Sequence, residues 1–66
     1  MKIIESTPIS NYTALVFESP LPRTEWRAIV VEGVRYETLP VMDAGNNVLA
    51  IKGTHDLTGK EAEFVA

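Results

Sequence analysis

Trp26-Arg-Ala-Ile-Val-Val-Glu-Gly-Val-Arg-Tyr-Glu-Thr-Leu-Pro-Val41 is the stretch on which the fold turns. Ile29, Val30, Val31, Val34 and Tyr36 are β-branched or aromatic, the types that fit a pleated, half-buried surface. Between them, Glu32-Gly33 supplies a residue that accepts positive φ without steric cost, as a two-residue hairpin turn requires. The pattern predicts a hairpin in which Val31 lies opposite Val34, Ile29 opposite Tyr36 and Arg27 opposite Thr38. Side chains alternate faces, so Ile29, Val31, Val34 and Tyr36 share one apolar face. The other face is mixed, with Val30 opposite Arg35, Ala28 opposite Glu37 and Trp26 opposite Leu39. A slip of one residue would turn Arg35 and Glu37 inward, so the register is strongly specified.

Outward from this hairpin the chain reads as further short strands. Lys2 to Ser6 is a short strand, Thr7-Pro-Ile-Ser-Asn11 a turn, and Tyr12-Thr-Ala-Leu-Val-Phe17 the next strand. Both faces of Tyr12–Phe17 are largely apolar, the pattern of a strand covered on two sides or lying near a barrel's closure. Glu18-Ser-Pro-Leu-Pro-Arg-Thr-Glu25 is a loop, because its two prolines favour extended, unpaired backbone. After the hairpin, Pro40 marks an edge or a bend. Asp43-Ala-Gly-Asn-Asn47 is a turn cluster, and Val48-Leu-Ala-Ile-Lys52 is a strand ended by Gly53. Thr54 or Asp56 is placed to cap one turn of helix or a 3₁₀ segment, and Lys60–Val65 has a strand pattern.

Size bounds what these strands can build. The chain has 66 residues, one domain over 1–66, and its short length leaves a small stability margin. With no Cys and one His, neither a disulfide nor a thiolate zinc site can staple it, and no cofactor is implied. Five to six short strands separated by turn signals predict an all-β fold, an antiparallel barrel of the SH3-like kind. The alternative is a strongly bent antiparallel sheet completed by dimerisation. Six basic against nine acidic residues give a net charge of −3, which argues against binding to a phosphate backbone. No apolar run approaches membrane-spanning length, and Met1-Lys-Ile-Ile4 runs straight into polar residues rather than a signal-peptide core. The expected setting is cytoplasmic, consistent with the absence of Cys.

No motif demands a particular chemistry. Gly53 to Lys60 superficially suggests a phosphate-binding loop, but five residues separate the glycines and Glu61 stands where a hydroxyl is needed. His55-Asp56 holds the only side chain that titrates near neutral pH, yet a base and its orienting carboxylate normally meet across a fold rather than along the chain. An exposed turn His beside a capping Asp is the plainer reading. Ser19-Pro-Leu-Pro-Arg23 has the form of a minimal proline-rich ligand, and also of an ordinary ordered loop.

These readings converge on a non-catalytic interaction module acting through protein contact or self-association. Its expected surface is the mixed hairpin face with Trp26, Val30, Arg35, Leu39 and Met42. The alternative is a small barrel that binds single-stranded nucleic acid through Trp26, Arg27, Arg35 and Lys52. Interleaved Glu25, Glu32 and Glu37 weaken that reading by cancelling the local field.

Overall fold

The computed structural model describes residues 1–39 and 45–66. Six strands form it: β1 (Ile3–Ile9), β2 (Tyr12–Phe17), β3 (Ala28–Val31), β4 (Val34–Leu39), β5 (Val48–Lys52) and β6 (Ala62–Val65). They make one antiparallel sheet in the order β1-β2-β5-β4-β3-β6. The all-β class is therefore as the strand pattern implies.

The central hairpin has the register that its apolar alternation demands. Val31 pairs with Val34, Ile29 with Tyr36, Val30 with Arg35 and Ala28 with Glu37. Glu32 and Gly33 both take positive φ, 51° and 80°, the backbone of a type I′ turn whose twist matches the strands it joins. The amide and hydroxyl of Thr38 both donate to the Arg27 carbonyl, extending the pairing one step beyond β3.

The expected closed barrel does not form. The sheet curls until the chain just before β1 meets the chain just before β6 in a single antiparallel bridge, Lys2 with Glu61. No ladder can grow from it, because the two strands run away from each other at that point. The outer edge of β1 is taken instead by a turn: Ile3 N–H donates to Lys60 O at 2.9 Å, and Gly59 N–H donates to Ile3 O at 2.7 Å. The result is an open antiparallel sheet of six strands.

Two local expectations also change. Residues 7–9 belong to β1, and the turn shrinks to Ser10-Asn11, since Ile9 pairs directly with Tyr12. Pro8 is tolerated because β1 is an edge strand, where a missing N–H removes no bond from a second neighbour. No helical turn follows Thr54. The Asp56 carboxylate instead accepts the Thr58 N–H at 3.2 Å, a local turn bond that competes with helix. Pro40, with residues 41–44 of the expected turn region, lies outside the described residues.

Curling puts the core on the concave side. Ile3, Leu15, Phe17, Ile29, Val31, Leu49, Ile51, Leu57 and Ala62 are buried together, with Leu21, Trp26, Tyr36 and Phe64 packed around them. Burying each large apolar side chain contributes about 1.5–3 kcal/mol, so this cluster carries the fold. Leu57 comes from the crossover between β5 and β6 and plugs one end of the concave face. Val34 shares the inward face with Ile29, yet it is 51 % exposed because it sits at the hairpin tip, beyond the core's rim.

Candidate interaction surface

The sheet's convex side explains the one pattern that the concave side leaves over. Thr13, Leu15 and Phe17 of β2 are fully buried, while Tyr12, Ala14 and Val16 alternate with them and point outward. No layer covers that outward face among the described residues, so β2 is covered on one side only. The strand registers extend the face sideways. Val16 lies beside Val48, Ala14 beside Ala50, and Tyr12 beside Lys52. On β1, Glu5 lies beside Val16, Thr7 beside Ala14 and Ile9 beside Tyr12. On β4, Leu39 lies beside Ala50.

A bulge enlarges the patch. The pairing between β1 and β2 shifts at Ile4, with Ile3 opposite Phe17 and Glu5 opposite Val16. The extra residue lets Ile3 point into the core while Ile4 and Glu5 both stand on the convex side near Val16. Ile4 is 50 % exposed, Ile9 57 % and Tyr12 44 %, so three of the four exposed large hydrophobic residues described share this face. Glu5 and Lys52 are its charged members, at opposite ends of the strands.

Of the residues singled out from the sequence, Val30, Arg35 and Leu39 share the convex side, while Trp26 turns away from it. Trp26 precedes β3 and turns toward the core, where its ring meets Phe64 edge-on at 5.0 Å. Its indole N–H donates to the Pro22 carbonyl at 2.9 Å, which pins the proline loop rather than leaving it free as a ligand. Val30 and Arg35 are cross-strand neighbours on the convex side of the β3–β4 hairpin. Arg35 pairs with Glu37 at 3.3 Å and donates to the Ala66 carbonyl, so its charge is already partnered. Leu39 belongs to the apolar patch described above, and Met42 lies outside the described residues. β6 does not cover the hairpin's second face; it pairs beside β3 in the plane of the sheet. Trp26, Arg27, Arg35 and Lys52 therefore do not form a single stacking platform: the Trp26 ring meets Phe64, Arg27 is exposed just before β3, Arg35 is held to Glu37 on β4, and Lys52 stands on β5.

A second feature is an open cleft of about 620 Å³ at the hairpin tip, lined by Val30, Glu32, Gly33, Lys60, Glu61 and Glu63. Lys60 reaches Glu32 across it at 2.5 Å. The hydrogen bond and the charge of Glu32 raise the Lys60 pKa above its usual value, holding the ammonium charged. The cleft lining has no hydroxyl, thiol or imidazole that could act as nucleophile or neutral-pH base. Among the described residues no group of three or more His, Cys, Asp or Glu side chains is placed to hold a metal ion.

His55 is placed by structural bonds. Its backbone N–H donates to Thr13 Oγ1 at 3.0 Å, and that hydroxyl donates to Gly53 O at 2.6 Å. Its ring packs edge-on against Tyr36 at 4.9 Å, and Asp56 turns to the Thr58 amide instead of orienting the imidazole. A Cβ on Gly53 would come within 2.8 Å of His55 Nε2, so the ring would have to shift, and the φ of +90° itself calls for glycine. The arrangement anchors the β5–β6 crossover over Thr13.

No helix among the described residues is long and apolar enough to cross a membrane. Comparison with protein-family models, curated proteins and solved structures gives no match to this chain. The residues that sequence reasoning missed are Ile4, Ile9, Tyr12, Val16 and Val48. Their signal was present in the two apolar faces of Tyr12–Phe17, which allow either a second covering layer or an uncovered apolar surface.

Proposed function

We propose that this chain is a non-catalytic interaction module whose contact surface is the convex face of β1, β2, β5 and the end of β4. The observation that supports it is the grouping of Ile4, Ile9 and Tyr12 on one face, around Ala14, Val16, Val48 and Ala50. Scattered exposed apolar residues need no explanation, whereas a contiguous patch on a small domain is the usual mark of a contact site. The charged convex side of the β3–β4 hairpin, with Arg35, Glu37 and Glu63, is the contrasting solvated surface. An SH3-like grouping of the fold and a cytoplasmic setting belong to the same proposal. Strand number, short strand length and the curl that brings Lys2 to Glu61 support the first. The lack of cysteine supports the second.

The reading is tested by placing a photo-crosslinking residue at Tyr12, and separately at Glu63, in cells that make the full chain. Discrete adducts from position 12 and none from position 63 are the expected result. No adduct from position 12, or the same adducts from both, overturns the assignment of this face.

A further inference from the structure

We propose that the occupant of the convex face is a second copy of this chain, packed face to face about a two-fold axis that passes by Ala14. The inference rests on the reading of that face as the contact surface and adds the identity of the partner. Its basis is the placement of charge. Three rows cross the patch: Glu5, Val16 and Val48; then Thr7, Ala14, Ala50 and Leu39; then Ile9, Tyr12 and Lys52. Glu5 and Lys52 occupy diagonally opposite corners, two strands and two rows apart, and Ala14 is the midpoint between them. Both are exposed, and among the described residues neither enters an ion pair.

A two-fold axis in the plane of the interface, running along the diagonal Ile9–Ala14–Val48, lays Glu5 of each copy against Lys52 of the other. The same operation sets Ile9 beside Ile9, Val48 beside Val48 and Ala14 on Ala14, and covers each Tyr12 with the other copy's Thr7. The face is thus complementary to itself, the requirement of an isologous contact. The small side chains of Ala14 and Ala50 at the centre let the two sheets approach. The strands then cross steeply, which is the orthogonal class of sheet packing. On β4 itself the convex side passes from Leu39 to Glu37 and Arg35, so the apolar contact ends where the hairpin's charged surface begins.

The size of the patch sets the strength. Four strands about 4.8 Å apart and about five residues of about 3.3 Å each give a face of about 19 by 16 Å. Covering it on both copies removes of the order of 600 Å² of face from water, below the size of standard interfaces and in the range of weak, transient contacts. The contact is a reversible dimer, with each copy folded on its own core.

Sedimentation equilibrium of the full chain at low salt, from about 5 μM to about 1 mM, spans the affinities of such an interface. The average mass is expected to climb from 7.3 kDa toward twice that value. Glu5→Lys or Lys52→Glu alone places like charges together in both symmetric pairs and is expected to weaken association by about tenfold or more. The Glu5→Lys/Lys52→Glu double variant restores the opposite charges and is expected to return to within about threefold of the parent. Both positions are exposed, so the variants leave the core intact, which circular dichroism checks. A mass that stays at the monomer throughout overturns the dimer, and so does a double variant no tighter than the single ones. Either result leaves the contact face itself to the crosslinking at Tyr12, where adducts of another mass would show a different partner on the same surface.

Discussion

Thr13 is the only polar side chain fully buried among the described residues, and its hydroxyl holds two backbone groups at once. It donates to Gly53 O at 2.6 Å and accepts the His55 N–H at 3.0 Å, tying the start of the β5–β6 crossover to the start of β2. Thr13→Val keeps the shape and removes the hydroxyl. A buried donor or acceptor left without a partner costs about 1–3 kcal/mol. Gly53 and His55 are only half-buried, so water recovers part of the loss, and about 2–4 kcal/mol remains for the pair. Against a total stability of about 3–10 kcal/mol for a domain of this size, that is a large fraction. At about 4–8 °C per kcal/mol, the melting temperature should fall by about 8–32 °C.

Thr13→Ser separates the hydroxyl from the methyl. It keeps both hydrogen bonds and gives up one buried methyl, a loss of about 1 kcal/mol. Urea denaturation followed by the fluorescence of Trp26, which packs against Phe64, measures all three proteins. The expected order of stability is Thr, then Ser, then Val. Amide exchange at His55 should accelerate in the Val variant more than exchange in β2 itself, because the released group lies there. If Val equals or exceeds the parent, or if Ser falls below Val, burial of the methyl outweighs the hydrogen bonds and the anchoring role of Thr13 is refuted.

Gly53→Ala should destabilise by about 1–2 kcal/mol for its left-handed backbone, with a further loss from the contact of the new Cβ with His55 Nε2. In a His55→Ala background only the backbone part should remain, and equal losses in the two backgrounds would show that the close approach carries no energy. Lys60→Met tests the pair with Glu32 through pH. The folded-state pKa of Lys60 is raised, so the pair's contribution is fully present below the unfolded value of 10.5 and fades as pH rises through the folded value. The stability difference between Lys60→Met and the parent should therefore be flat from about pH 7 to 9 and shrink above about 10.5, as urea titrations at each pH would show. Ile9→Thr and Tyr12→Thr should each change monomer stability by less than about 1 kcal/mol, measured by urea denaturation at low protein concentration, because both positions are half-open and Thr suits a strand.

The hairpin was legible because its signals are local. Glu32-Gly33 fixes the turn and Ile29, Val31 and Tyr36 fix the face, so a register error would have put Arg35 and Glu37 in the core. Strand existence was legible for the same reason, at Tyr12–Phe17, Val48–Lys52 and the last strand. Strand order was not. β2 pairs with β5 across about thirty residues of intervening chain, and nothing in either strand's alternation names its partner. Trp26 misled because its strand assignment put it on the convex side. The actual chain leaves the ladder before Ala28, and the indole turns inward to Phe64 and Pro22. Residues 7–9 misled because proline and threonine imply a turn until the strand is known to lie at an edge.

The convex patch is the part of the sequence that folding alone does not account for. Ile3, Leu15, Phe17 and their partners form the core from the concave side, and the turn at Gly59-Lys60 bonds the start of β1 at Ile3. Nothing in that scheme requires Ile4, Ile9 or Tyr12 to be apolar. Each is about half exposed, and each stands where a polar strand former such as Thr would keep the pleat and the pairing. An edge strand and its neighbour that present such side chains to water carry an association risk, which small β proteins usually limit with charge. Here the charges limit it in a particular way. Glu5 and Lys52 mark opposite corners instead of covering the centre, so a mismatched surface meets like charge while a copy in the right orientation meets opposite charge. The apolar rows provide the attraction and the two corners select the orientation, which is why a charge exchange at Glu5 and Lys52 distinguishes a specific contact from general stickiness.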